Sequence, residues 1–370
     1  MSKSERRRSR VAVHRLPLFA GAALSLVAGL WGGLGLLGLG VPAPRTSFAQ
    51  QHGVLMALGF LGTLIALERA VALGRPWAYA APGASAAGAI VTAAGFGLPG
   101  RVLLTAAGAW LVAVYVAVFG RRTGRDLTVQ AAGAVAWYIA GMLWIAGRPV
   151  ADLVPWLAAF LVLTIAGERL ELARVAFLGR RASDGLLAAA ALIGAGAAAS
   201  VAWPGPGWRL TGLGMLALAL WLGFHDVARR TIRGAGLPRF AAACLLAGYA
   251  WLAFAGTAWL IAGRPGGGGV RDAALHALFL GFVISMVFGH APVILPAVLR
   301  VRLPYHPILY APLALLHASL MLRVAGDLGD LPDARTIGGV LGEVSLVLFA
   351  ACAVTAARLK KEEGRGKRER

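Results

Sequence analysis

Apolar residues in this chain gather into long runs near 16–40, 48–68, 77–98, 102–120, 127–147, 153–173, 185–203, 209–225, 239–263, 272–298, 307–325 and 336–358. Each run is of a length, about 17 to 27 residues, at which a helix rising ~1.5 Å per residue crosses a bilayer core. The breaks between them are rich in Arg, Pro, Gly and Asp, the residues that stop helices and face water. The pattern predicts an all-α polytopic membrane protein of about twelve transmembrane helices. It forms one transmembrane domain over 16–358, between a basic flank at 1–15 and a basic tail at 359–370. The start MSKSERRRSR followed by an apolar run has the feature order of a signal peptide. That run exceeds the usual apolar core of about 7 to 15 residues, so it is expected to remain as the first span.

Charge supports the same layout and adds orientation. With the N-terminus inside, the inner segments hold 28 of the Lys and Arg residues and the outer ones 8, alternating along the whole chain. Basic residues stay on the cytoplasmic side, so both termini are expected there, in a bacterial-type inner (plasma) membrane. Composition agrees: 59% hydrophobic and 14% charged residues, with a mean hydropathy of +0.73, lie outside the range of soluble globular chains. A net charge of +20 would suggest nucleic acid in a soluble protein. Here it sits in short loops and tails, so the expected partner is the lipid bilayer, with no nucleic acid. Cys244 and Cys352 lie singly in apolar spans and suggest neither a disulfide framework nor a zinc site.

Short phrases recur. WIAGRP at 144–149 returns as WLIAGRP at 259–265, and LERAVALGR at 67–75 is echoed by GERLELARVAFLGR at 167–180. The spacing fits three pseudo-repeats of four spans, beginning near residues 16, 127 and 239. In that scheme the second span of each unit is the polar one.

The candidate chemistry lies on those spans. His276 and His290 share the tenth, roughly 21 Å apart along the helix and near one face, too far apart to hold one small metal together. An ionisable ring in a span needs a reason. At matching outer depth, His276 pairs with His52 on the second span, and imidazoles from two helices are a common way to hold haem. Gly53, Gly59 and Gly62 would leave room for a flat macrocycle. The plainer reading is that each ring bonds a carbonyl on a neighbouring helix. His290 at the inner end and His317 on the eleventh span are the candidate metal ligands, and His317 is alternatively a partner for a haem propionate. Glu68, Arg69, Glu168 and Arg169 read as ion pairs closing the inner ends of the bundle, with a cluster around His290 for metal or protons as the alternative. No residue is assigned a catalytic role.

Four blocks carry a resemblance: QQHGVLMALGF around His52, TIAGERLELA around Gly167, LLAGYAWLAFAGTAWLIAGRP before the tenth span, and DAALHALFLGFVISMVFGH from Asp272 to His290. In their order and residues they resemble the NnrS family, within the architecture of haem-copper oxidase subunit I. The resemblance implies a protein containing b-type haem and copper, handling redox chemistry or a gas ligand such as nitric oxide in nitrosative-stress protection. The chain departs from the pattern at Gln50, where the family tends to show a further histidine, and it lacks the paired histidines that hold copper in oxidases. Two other readings stay open. Twelve spans with internal repeats also describe secondary transporters, although fours rather than sixes argue against the commonest of them. A quinol-linked membrane electron carrier, taking electrons from quinol or another donor, fits the same residues.

The orientation is tested by cysteine labelling in a variant lacking Cys244 and Cys352. A cysteine at Arg148 or Arg209 is expected to react with an impermeant maleimide in intact cells, and one at Arg122 or Arg229 only after permeabilisation. The opposite pattern would invert the topology.

Overall fold

A computed structural model describes residues 12–42, 47–175, 180–264, 266–300 and 304–366. The basic flank over 1–11, Arg45, Arg302, the tail beyond 366 and the side chains of Arg174 and Arg180 lie outside the described residues. Among those described, the regular elements are all helical. In chain order the main ones are α1 (Leu16–Leu36); α2, built of Ser47–Val54, Leu55–Gly62 and Thr63–Leu73 in succession; α3 (Ala80–Ala93); α4 (Gly97–Phe119); α5 (Arg125–Ile145); and α6 (Val150–Val175). They continue with α7 (Arg180–Ala202), α8 (Pro204–His225), α9 (Gly236–Ala262), α10 built of Gly269–His276, Ala277–Ile284 and Ser285–Leu299, α11 (Tyr310–Leu328) and α12 (Pro332–Gly366).

Eleven of these, all but α3, are long and apolar enough to cross a membrane, which makes the chain a multi-pass membrane protein. The expected third run, 77–98, folds as a 3-10 turn at Pro76–Tyr79 followed by the 14-residue α3. The helix stops at Ala93 because Gly95 takes φ +89°, a left-handed turn that a helix cannot continue through.

The chain divides into two compact units. The larger holds Pro17–Asp226 and Ala253–Gly266, and the smaller Met1–Leu16, Val227–Leu252 and Gly267–Arg370. In the larger unit, small residues bring backbones together. A side chain at Gly133 would meet the Phe160 carbonyl, and one at Gly167 would meet Gln130 and the Asp126 carbonyl, so α5 and α6 touch along their length. Gly59 and Gly62 of α2 are filled in the same way, by Ser25 and Ala89 and by the Trp137 ring respectively. These two glycines therefore serve helix packing and do not leave room for a macrocycle. At Gly53 the space is open.

The middle of α2, Leu55–Gly62, is an eight-residue π-helix, and so is the middle of α10, Ala277–Ile284. In both, Leu-Gly-Phe takes the fourth to sixth positions, and a hydroxyl residue, Thr63 or Ser285, follows the last. A π stretch displaces backbone carbonyls from ordinary α pairing, and neighbouring side chains supply extra donors. Ser25 Oγ donates to the Leu55 carbonyl (2.9 Å) and Ser85 Oγ to that of Leu58 (2.8 Å). The hydroxyl after each π stretch reaches the next numbered helix: Thr63 Oγ1 lies 2.8 Å from Ser85 Oγ on α3, and Ser285 Oγ 3.3 Å from His317 Nε2 on α11. Each π-bearing helix is then followed by a 3-10 turn that opens on proline, with PWAYA at 76–80 and PILYA at 307–311.

The first and third of the proposed units of four are thus built alike at their second and third helices. The second helix of the middle unit, α6, has no π stretch and carries Pro155 near its start. The WIAGRP echo also has a local cause, since Gly147 (φ +88°) and Gly263 (φ +65°) end α5 and α9 in left-handed caps.

Gly62→Leu is expected to destabilise the protein by about 1–3 kcal/mol or more by driving a side chain into Trp137. Gly53→Ala, where nothing is met, is expected to leave the melting temperature in detergent within a degree or two of wild type.

Candidate functional site

Three of the singled-out histidines share one arrangement. His52 Nδ1 lies 2.6 Å from the Gly29 carbonyl of α1, His276 Nδ1 2.8 Å from that of Asp272, and His290 Nδ1 2.7 Å from that of Met286. A carbonyl only accepts, so in each ring Nδ1 carries the hydrogen and, in the neutral form, Nε2 carries the lone pair. A carbonyl behind the ring also fixes its orientation and raises the basicity of Nε2, as it does behind metal-bound histidines. His52 stands three residues before its π-helix and His276 immediately before its own, so in the register of the two π stretches they are offset by two positions. His52 belongs to the larger unit, and His276 and His290 to the smaller.

His317 is held the other way round. Trp251 Nε1–H donates to its Nδ1 (3.1 Å), which leaves the hydrogen on Nε2, facing Ser285 Oγ; the Ser285 hydroxyl passes on to the Cys244 carbonyl (2.8 Å). Both ring nitrogens take part in joining α9, α10 and α11, and ligating a metal would break one of those bonds. The same tautomer cannot accept a proton from Ser285, so the pair has no nucleophile-and-base geometry. Among the described residues there is no group of three or more His, Cys, Asp or Glu placed to hold a metal ion.

In the larger unit the helix ends around Arg69 carry a connected ionic cluster. Arg69 on α2 donates to Glu68 Oε1 (2.7 Å) and to Glu168 Oε1 on α6 (2.9 Å), and its Nη1 to Gln130 Oε1 on α5 (3.1 Å). Tyr115 of α4 donates to the same Gln130 oxygen (3.3 Å). Beside it Arg169 grips Asp226 through two bonds of 2.7 and 2.9 Å, with both side chains buried. Arg122 bridges Asp126 (2.7 Å) and Glu171 (3.1 Å). Glu68, Arg69 and Glu168 are thus brought into contact, with Arg169 alongside on α6. Gln130, Tyr115 and Asp226 complete the cluster without having been singled out from the sequence. Gln130 was the legible one, a carboxamide within an otherwise apolar run.

The smaller unit has a second ionic group, partly exposed, around the side chain of Asp272, whose carbonyl holds His276. Arg335 Nη2 meets Asp272 Oδ2 at 2.6 Å and Arg335 Nε meets Asp327 Oδ1 at 3.2 Å, with Arg323 within 4 Å of both carboxylates. In the sequence Arg323 and Arg335 count only as outer-side charges. The Arg323 and Asp327 spacing of four within one apolar helix was the available signal.

Residues 15–358 match the family model described as Domain of unknown function (DUF8744). The chain belongs to the DUF8744 family. No curated protein matches it. The match takes in every one of the eleven spanning helices or all but its first residues, and with them both ionic clusters and all the histidines named above.

Breaking the most buried pair of this DUF8744 chain gives the sharpest test of the cluster. Arg169→Ala is expected to cost about 3–5 kcal/mol by removing the bidentate partner of a buried carboxylate. The Arg169→Ala/Asp226→Ala double variant should recover part of that loss in a thermal-stability cycle.

Proposed function

We propose that this DUF8744 protein is a haem-binding integral membrane protein of a bacterial-type inner membrane, with His52 and His276 presenting Nε2 to iron. The reading takes α3 as a twelfth crossing and places both termini on the cytoplasmic side, following the charge alternation. The observation that carries it is the shared setting of the two rings: each has Nδ1–H donated to a backbone carbonyl, and each stands at the entrance of a π-helix. Single π turns inside α-helices gather at functional sites.

Each ring taken by itself has suitable chemistry for haem, since a neutral imidazole backed by a carbonyl is a common axial ligand. Bound haem would supply one-electron chemistry and a site for a small gas ligand. The resemblance to NnrS, strongest over Asp272 to His290, supports nitric oxide as that ligand and protection from nitrosative stress as the role. Quinol or another electron donor would be the redox partner. His52 and His276 would hold and orient the group; the Gly29 and Asp272 carbonyls would set how strongly each ring donates. Copper, which the same resemblance implies, would have His290 as its remaining candidate ligand.

The test is an optical spectrum, reduced minus oxidised, of protein purified in detergent after expression with ample haem. Haem absorption is expected, with altered band positions or lower occupancy in His52→Ala and in His276→Ala. A colourless wild-type protein would sink the reading and favour a transporter. An unchanged low-spin spectrum in both variants would show that the ligands lie elsewhere.

A further inference from the structure

The Arg69 cluster contains two buried donors that the protein does not satisfy. Gln130 is fully buried, and its orientation is fixed because Oε1 accepts from both Arg69 Nη1 and Tyr115. Its Nε2 then points at no protein acceptor, and neither does Arg69 Nε. Leaving such donors bare costs about 1–3 kcal/mol each, so the fold calls for a small acceptor there. The flanking carboxylates of Glu68 and Glu168 disfavour an anion, and N–H groups turn away a metal cation. Water accepts from such donors and still has hydrogens to give to a carboxylate.

We propose that this cluster is a proton-exchange site, in which internal water at the Gln130 Nε2 and Arg69 Nε donors delivers a proton to and from the Glu168 carboxylate. The inference stands apart from the haem reading. Glu168 faces Arg69, Arg169 and Glu171, and Arg69 also faces Glu68 and Tyr115. Of these, Arg169 is engaged by Asp226, and Glu171 lies against Arg122, which also holds Asp126. Two carboxylates share the one Arg69 guanidinium, so their ionisation is coupled. When Glu168 takes a proton from the water, Arg69 and Glu68 remain as a charge-matched pair, and the water regains its proton from the inner aqueous face. Carboxyl groups placed inside membrane segments commonly serve proton transfer.

The experiment is infrared spectroscopy of the full chain in lipid during pH steps, in ordinary and heavy water. The wild type is expected to show a protonated-carboxyl C=O band that titrates and shifts on deuteration. Glu168→Gln should abolish it, and Gln130→Leu should shift its frequency. Asp184→Asn, a surface partner of Arg125, should leave it unchanged. Absence of such a band in the wild type overturns the proposal without any variant having to fold. Its persistence in Glu168→Gln, or its loss only in Glu68→Gln, overturns the assignment to Glu168. An unshifted band in Gln130→Leu overturns the water's place.

Discussion

A polar group inside a bilayer has no water to turn to, and the buried polar contacts in this protein answer that constraint. Arg69 is enclosed by Glu68, Glu168 and Gln130, and Arg169 by Asp226. Ser25 and Ser85 serve the carbonyls of a π-helix, and the rings of His52, His276 and His290 each turn one nitrogen to a carbonyl. What brings the partners close enough is the absence of side chains: Gly167 lets α6 lie against α5, which sets Glu168 beside Gln130 and within reach of Arg69. Ion pairing and glycine packing are one device here, because long side chains between α5 and α6 would leave the guanidinium to hydrocarbon.

The two π-helices show how the same architecture was used twice. Leu58-Gly59-Phe60 and Leu280-Gly281-Phe282 hold corresponding positions, and the glycine in each is pressed upon by helices on either side, Ser25 and Ala89 in one case and Trp251 and Leu320 in the other. Beyond that the copies part. Thr63 meets the small Ser85, while Ser285 meets His317, whose Nε2 donates to it and whose Nδ1 accepts from Trp251. His317 thus belongs to the packing of the later copy, whereas His52 and His276 stand at the entrances of the two π stretches.

Helical class, the membrane and most helix positions were legible because hydrophobic run length is a local property that the bilayer reads directly. The echo LERAVALGR in GERLELAR set Glu68 and Glu168 at corresponding helix ends, and both converge on Arg69. The roles of Gly59, Gly62 and His317 were not legible. A glycine looks the same in sequence whether it faces open space, as Gly53 does, or Trp137, as Gly62 does, and an imidazole gives no sign of which nitrogen will hold the hydrogen.

By itself the sequence determined the apolar runs, the alternation of charge and the placing of ionisable residues at the ends of spans, since each depends only on neighbours along the chain. Only the tertiary structure decided that α2 and α10 wind as π-helices; in α2 the hydroxyls that serve its carbonyls, those of Ser25 and Ser85, come from other helices. It alone decided which donors at Gln130 and Arg69 stay bare. Those depend on which helix stands opposite, and that is fixed by packing among residues far apart in sequence.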